Sequence, residues 1–414
     1  MASSPTMQAP EGQSSRDDHR RNARIYLTGM SASLLGNGAM SLVAGIWVKE
    51  LTGSSSKAAL AQVCAYAPTL LAAPAGMLAD RLPRRALLIW VNLAMAVLLL
   101  PLLAVRTAGA VWVIYAVMAC YGLSMDVTEP ASSGLFYTMF SVTERRRMNG
   151  LMMSITEGGK LAAPLFGAGL FELFGGGLVA VLDSATFLIA VAALSRMRIT
   201  EPKRGRPAGR WHTEVVAGFT HVWRTPGLRS ATLAATLAMF ASSLSSGAQY
   251  SLVTAVHQRP AFLGVFSALL GAGSIVAGLV SARIIRRRGE RFLQLAGLVN
   301  CLLAEAMLAI PVLGLDLAAY LLAGFALPWM FVAVINLSQR LTPEQLQGRV
   351  SAAVSFLLFG VVPFGQVIGA VAIAHLSYRL PYAAAALLSG VAGVALAATA
   401  RPPALGPDPA PLPG

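Results

Sequence analysis

Ionisable side chains stand inside the longest apolar runs of this chain, and several are spaced as neighbours on a helix. Asp126 and Glu129 are three residues apart, as are Glu157 and Lys160; Glu305 is alone in a later run, and Asp183 and Asp316 fall nearer to run ends. Residues at i and i+3 share a helix face. A charge at mid-bilayer costs about 2.5–3.5 kcal/mol on insertion scales, so such a residue marks a functional position by default. Two readings of the acids stay open. Asp126, Glu129, Glu157 and Glu305 line a cavity that exchanges protons and attracts a cation, or they make ion pairs that fix helix packing. Lys160 is expected to neutralise Glu157 or an acid of the preceding run. Asp183 is read as a structural residue near a helix end. Asn37, in a Gly-Asn-Gly context, and Met40, Trp47, Gln249 and Tyr250 are further candidates for a cavity wall.

These roles require the runs to be membrane spans. Of 414 residues, 56% are hydrophobic and only 12% charged. A soluble domain carries about 25% charged residues, and one apolar core stops growing near roughly 250–300 residues. Lipid is therefore the expected solvent. The net charge of +14 does not point to nucleic acid, because the basic residues sit in short clusters between apolar runs. The three cysteines lie inside apolar runs without a CxxC pair, and the five histidines are scattered. No disulfide, metal or cofactor is expected, and no enzyme active site is indicated.

A spanning helix needs about 20 apolar residues. Twelve runs qualify, near 25–48, 58–79, 86–105, 110–138, 148–173 and 176–195, then 230–256, 261–283, 292–312, 315–339, 348–376 and 380–400. The expected fold is all-α, with twelve transmembrane helices in two six-helix bundles. The expected division is a disordered basic leader (1–24), a first bundle (25–196), a basic linker with an amphipathic helix (197–229), a second bundle (230–400) and a tail (401–414). With the N-terminus inside, 26 of the 32 Lys and Arg fall on the inner side, five fall outside, and Lys160 is left in the membrane. This bias places both termini in the cytoplasm, and the expected location is the inner (cytoplasmic) membrane of the cell.

The halves echo one another. Residues 76–85 read GMLADRLPRR and 278–287 read GLVSARIIRR, so Gly76, Arg81, Arg84 and Arg85 align with Gly278, Arg283, Arg286 and Arg287 at an offset of 202. TERRRMNG (143–150) before Pro164 and TPEQLQGRV (342–350) before Pro363 make a second echo. An offset that preserves topology implies a parallel repeat.

The motif G-x-L-A-D-R-x-x-R-R resembles the signature loop of the major facilitator superfamily. The resemblance implies a cytoplasmic latch in which Gly76 packs closely, Asp80 faces a helix N-terminus, and Arg81, Arg84 and Arg85 bind acids or lipid phosphates. EVVAGFTHVWRTPGLRS (214–230) and VLDSATFLI (181–189) resemble the macrolide-efflux and enterobactin-exporter branch. Gly159, Pro164 and Gly167 fall on the Gly-Pro pattern of the family's antiporters in the fifth span, whereas Met118 stands where drug antiporters carry an Arg. The expected activity is proton-driven export of a small amphipathic molecule by a monomer in the bilayer. Uptake of a nutrient is the alternative; a receptor or enzyme would need a soluble domain or a His/Asp cluster that the sequence lacks. No G-x-x-x-x-G-K-[ST] loop is present, so ATP is not the direct fuel.

Overall fold

The computed structural model describes residues 11–71, 82–140, 142–197 and 211–399. The helices are α1 (Glu11–Thr52), α2 (Ser55–Tyr66), α3 (Arg84–Leu98), α4 (Val111–Met139), α5 (Val142–Phe174) and α6 (Gly176–Arg196). After them come α7 (Trp211–Arg224), α8 (Pro226–Ser246), α9 (Gln249–Ala255), α10 (Leu263–Leu308), α11 (Leu313–Leu341), α12 (Gln347–Phe359), α13 (Val362–His375) and α14 (Arg379–Ala398).

Eight segments among the described residues are long and apolar enough to cross a bilayer, and the α8–α9 pair, bent by 49°, is a ninth. The others follow from length and charge. At about 1.5 Å per residue, the 46 residues of α10 would more than double a hydrocarbon core of about 30 Å. Gly289, at φ 82° and ψ 168°, turns the chain near the middle, so α10 is two crossings. A left-handed φ of this kind suits a residue without Cβ. α5 is long enough to cross, but its charges lower its hydropathy. α2 runs toward residues outside the description. The protein thus has the twelve-helix architecture expected. Its outward face belongs to lipid: Leu279 is 78% exposed and Leu387 69%, which a water-facing surface would not tolerate in quantity.

Two features differ from expectation. α1 begins at Glu11, inside the stretch read as a disordered leader. Its Gln, Arg and Ala residues are good helix formers, and an adjoining membrane helix removes the cost of nucleation. The span expected at 348–376 is broken into α12 and α13 at Gly360–Val361, just before Pro363, which cannot donate to the preceding turn.

Two compact units form. The first comprises Met1–Arg206, Gly247–Gly271 and Ile373–His375. Within it α1 is central and packs on both α5 and α6, while α3 lies on α4 and α6. One core cluster joins Leu88, Leu135, Phe136 and Met139 to Leu194 and Met197. The Gly-Pro pattern of α5 supplies a small-residue face. Gly167 meets the Ala39 backbone, and Gly264 of α10 approaches Ala168 and the Pro164 carbonyl. Gly159 is looser, with Leu34 the nearest neighbour a Cβ would meet.

The second unit comprises Pro207–Ser246, Ala272–Ala372 and Leu376–Gly414. Here α7 lies on α12, with Val222 in a cluster with Leu228, Val334 and Val354. This is the amphipathic helix expected before the seventh span.

The units share a capping device that corrects the repeat register. Arg85 donates from Nε to the Leu194 carbonyl (2.8 Å) and from Nη2 to Ser195 (2.7 Å), at the end of α6. Arg291 donates to the carbonyls of Leu396 (2.8 Å), Ala397 (3.0 Å) and Thr399 (2.6 Å), at the end of α14. Terminal carbonyls have no partner within a helix, so a guanidinium fork satisfies two or three at once. Leu194 and Leu396 are 202 residues apart, but Arg85 and Arg291 are 206 apart. The counterpart of Arg85 is therefore Arg291, not Arg287, because α10 continues one helical turn further before Gly289. Arg283, Arg286 and Arg287 lie exposed on that turn, and open space surrounds Gly278. The same offset of 206 pairs Arg84, which packs on Gly134, with Glu290, which meets Arg340. Gly76, Asp80 and Arg81 lie outside the described residues.

Candidate functional site

The first unit holds a cavity of about 480 Å³ between α1, α3, α4, α5 and α6. It runs from Tyr26 and Met197, where α1 enters and α6 ends, to Asn37 and Ser124 near mid-helix. α4 supplies its polar wall. Ser124, Thr128 and Ser132 recur every four residues, and Met125, Glu129 and Ser133 lie beside them on the same face. Opposite stand apolar groups such as Leu34, Phe187 and Met152. Glu129 is the one carboxylate in the wall. The arrangement is that of a small-molecule site, apolar with a few placed polar groups.

Beneath Asn37 a buried network links α1, α4 and α6. The Tyr121 hydroxyl lies 2.5 Å from Asn37 Oδ1 and 3.0 Å from Asp183 Oδ2. Thr186 Oγ1 donates to the Asp183 backbone carbonyl (2.8 Å) and lies 3.3 Å from Oδ1. Asp183 is 1% exposed. Gly36 makes the approach possible, since a Cβ there would fall on the Asp183 carboxylate. The next residue, Ser184, donates to the Ala96 carbonyl at 2.8 Å and holds α6 on α3.

Residues 25–365 match the Major Facilitator Superfamily. This chain belongs to that superfamily. It is 26% identical over 351 residues to the multidrug efflux pump Tap of Mycolicibacterium fortuitum, covering 80% of this chain and 84% of that protein. Among solved structures it resembles a bacterial homologue of the iron transporter ferroportin in an inward-facing state. That match has a TM-score of 0.71 at 15% identity, over 91% of this chain and 98% of the other. The nucleoside transporter NupG (D323A mutant) matches with a TM-score of 0.70 at 14% identity, over 90% and 99%. The protein is a Major Facilitator Superfamily transporter, a multi-pass membrane protein that takes a small-molecule substrate across a lipid bilayer.

In this superfamily member the residues singled out from sequence separate. Glu129 and Asn37 line the cavity. Asp126 sits one turn from Glu129 but outside the wall, with Oδ2 buried and without a hydrogen-bond partner. Glu157 accepts from Lys160 at 2.7 Å, the pairing expected, with Lys160 largely exposed. Glu305 lies in the second unit, where Oε1 accepts from Ser245 at 2.9 Å and Oε2 is buried without a partner. Tyr250 is fully buried against Gly45, with Gln62 Nε2 at 3.5 Å, so neither it nor its neighbour Gln249 reaches this cavity. Asp183 lies inside α6, seven residues from its start, rather than at an end.

Sequence reasoning missed Tyr121 and the hydroxyl row of α4. The signal was present in YGLSMDVTEPASS, where hydroxyls recur at 124, 128 and 132.

The exposure of Lys160, 55% against 18% for Glu157, sets the worth of this pair. Exposed pairs contribute about 0–1 kcal/mol, so Lys160→Met is expected to shift the thermal midpoint of the purified protein only slightly. A large drop would mean that Lys160 compensates a second acid.

Proposed function

We propose that this transporter exports a small amphipathic, cationic organic molecule, driven by the proton gradient, as an antiporter working by alternating access. The observation that carries the reading is the α4 cavity, mainly apolar, with polar groups on α1, α3 and α4 and Glu129 as its one carboxylate. An amphipathic cation would place its apolar body against Phe187 and Met152 and its charge toward Glu129. The likeness to a multidrug efflux pump supports export. The positive-inside bias supports cytoplasmic termini and so a cavity that opens inward in a monomer of the cytoplasmic membrane.

Expression in a bacterium lacking its own pumps is expected to lower ethidium accumulation, and a protonophore is expected to restore it. Glu129→Gln should weaken ethidium efflux about tenfold, since a charge-assisted contact is worth about 1.5–3 kcal/mol. Efflux of uncharged compounds should change little. Raised accumulation in expressing cells would instead mean uptake, and efflux indifferent to the protonophore would end the proton-driven reading.

A further inference from the structure

The Tyr121 hydroxyl has one proton and two acceptors facing it, Asn37 Oδ1 at 2.5 Å and Asp183 Oδ2 at 3.0 Å. One O–H cannot donate to both. Two arrangements satisfy both neighbours of the Tyr121 hydroxyl, and they differ in the charge of Asp183. With Asp183 ionised, Tyr121 donates to the carboxylate and its oxygen accepts from the Asn37 amide N–H, so Asn37 turns its carbonyl toward the cavity. With Asp183 protonated, the carboxylic acid donates to Tyr121 and Tyr121 donates to the Asn37 carbonyl. Asn37 then turns its NH₂ toward the cavity. The step adds one proton to one carboxylate oxygen and reverses two hydrogen bonds, and no other bond changes.

We propose that Asp183 is a proton-binding site whose charge state is displayed on the cavity wall by the Asn37 amide through Tyr121. This rests on the proton-driven reading above and deepens it. A cation meets a carbonyl dipole when Asp183 is ionised and an N–H dipole when it is protonated. Proton binding therefore weakens cation binding, and cation binding weakens proton binding by the same factor, which is the coupling that exchange of one for the other needs.

The surroundings leave Asp183 without a competing charge among the described residues. α4 brings Tyr121 to it, and α1 brings Gly36 and Asn37. The ionisable groups of α3 at its described start are Arg84 and Arg85, and Arg85 is engaged at the far end of α6. The 3₁₀ turn Leu100–Ala104 has none. On α5, Glu157 is paired with Lys160. Asp126 and Glu129 follow Tyr121 by one to two turns on α4, and Glu129 faces the cavity. Glu129 is thus the rival for any pH effect on binding, and the variants must separate the two.

The test is tetraphenylphosphonium binding to the full chain in nanodiscs, as a function of pH. A single displaced proton lowers affinity by up to about tenfold per pH unit as pH falls through the titration of the site, until the acid-side affinity is reached. Wild type is expected to show this slope. Asp183→Asn removes the titrating carboxylate while its amide can still meet Tyr121 with either its N–H or its carbonyl, so its slope should be near zero whatever its affinity. Tyr121→Phe keeps the edge-to-face contact with Phe187, whose ring centroid is 5.8 Å away, but cuts the link. It should flatten the slope even if Asp183→Asn fails to accumulate. A wild-type slope retained in Tyr121→Phe, or in a folded Asp183→Asn, overturns the proposal and points to Glu129. A wild type whose binding ignores pH fails the proton-driven reading itself, and this inference with it.

Discussion

Arg340→Met is expected to cost about 1–3 kcal/mol, the penalty of leaving a largely desolvated charge without its partner. Arg340 Nε lies 3.3 Å from Glu290 Oε1, and the side chains are only 21% and 12% exposed. The loss would leave Glu290 charged and poorly solvated beside Gly289, where the chain turns between two crossings. The pair itself need not stabilise much, because desolvation of two charges offsets most of their attraction. Removing both charges, in Arg340→Met with Glu290→Leu, should therefore recover much of the loss. The measurement is the thermal midpoint in detergent together with abundance in the membrane. A single variant that melts with wild type would mean that water reaches the pair.

Gly122→Val is expected to abolish accumulation of folded protein. A Cβ at Gly122 would land on the Ala65 carbonyl oxygen of α2, and Pro68 stands close behind. Overpacking a core costs about 1–3 kcal/mol when side chains can move aside. Here the obstacle is backbone, so the cost falls at or beyond the upper end, and the polar wall of α4 would shift with it. Gly158→Ala is the control, since nothing lies within 4 Å of its Cβ. It should be neutral or slightly stabilising, by up to about 1 kcal/mol. Normal abundance and efflux in Gly122→Val would show that α2 and α4 separate more readily than their contact implies.

Glu290 and Arg340 are ordinary loop charges in the sequence, and nothing in their spacing of 50 residues marks them as partners. Gly122 is one glycine among many in apolar runs, and nothing in the sequence around it shows why a glycine is needed. The approach of Ala65 that makes it necessary comes from how α2 crosses α4.

Composition and hydropathy were enough for the membrane, the helices and their number, because lipid admits only segments that satisfy their own backbone. The parallel repeat was legible too, but its register was not. Helix length at Gly289 is set by local backbone geometry, so an alignment of identical letters chose Arg287 where the fold uses Arg291. The intramembrane acids were also found in the sequence, since charge in an apolar run is conspicuous. Their roles were not. Packing of α1, α4 and α6 put Asp183 against Tyr121 and Asn37, set Glu129 on a cavity, and left Glu157 to Lys160. Chain order determined which residues are available to this protein; contacts between residues 62 to 146 positions apart decided which of them share a proton, because hydrogen bonds depend on distances of a few ångströms that no spacing along one helix specifies.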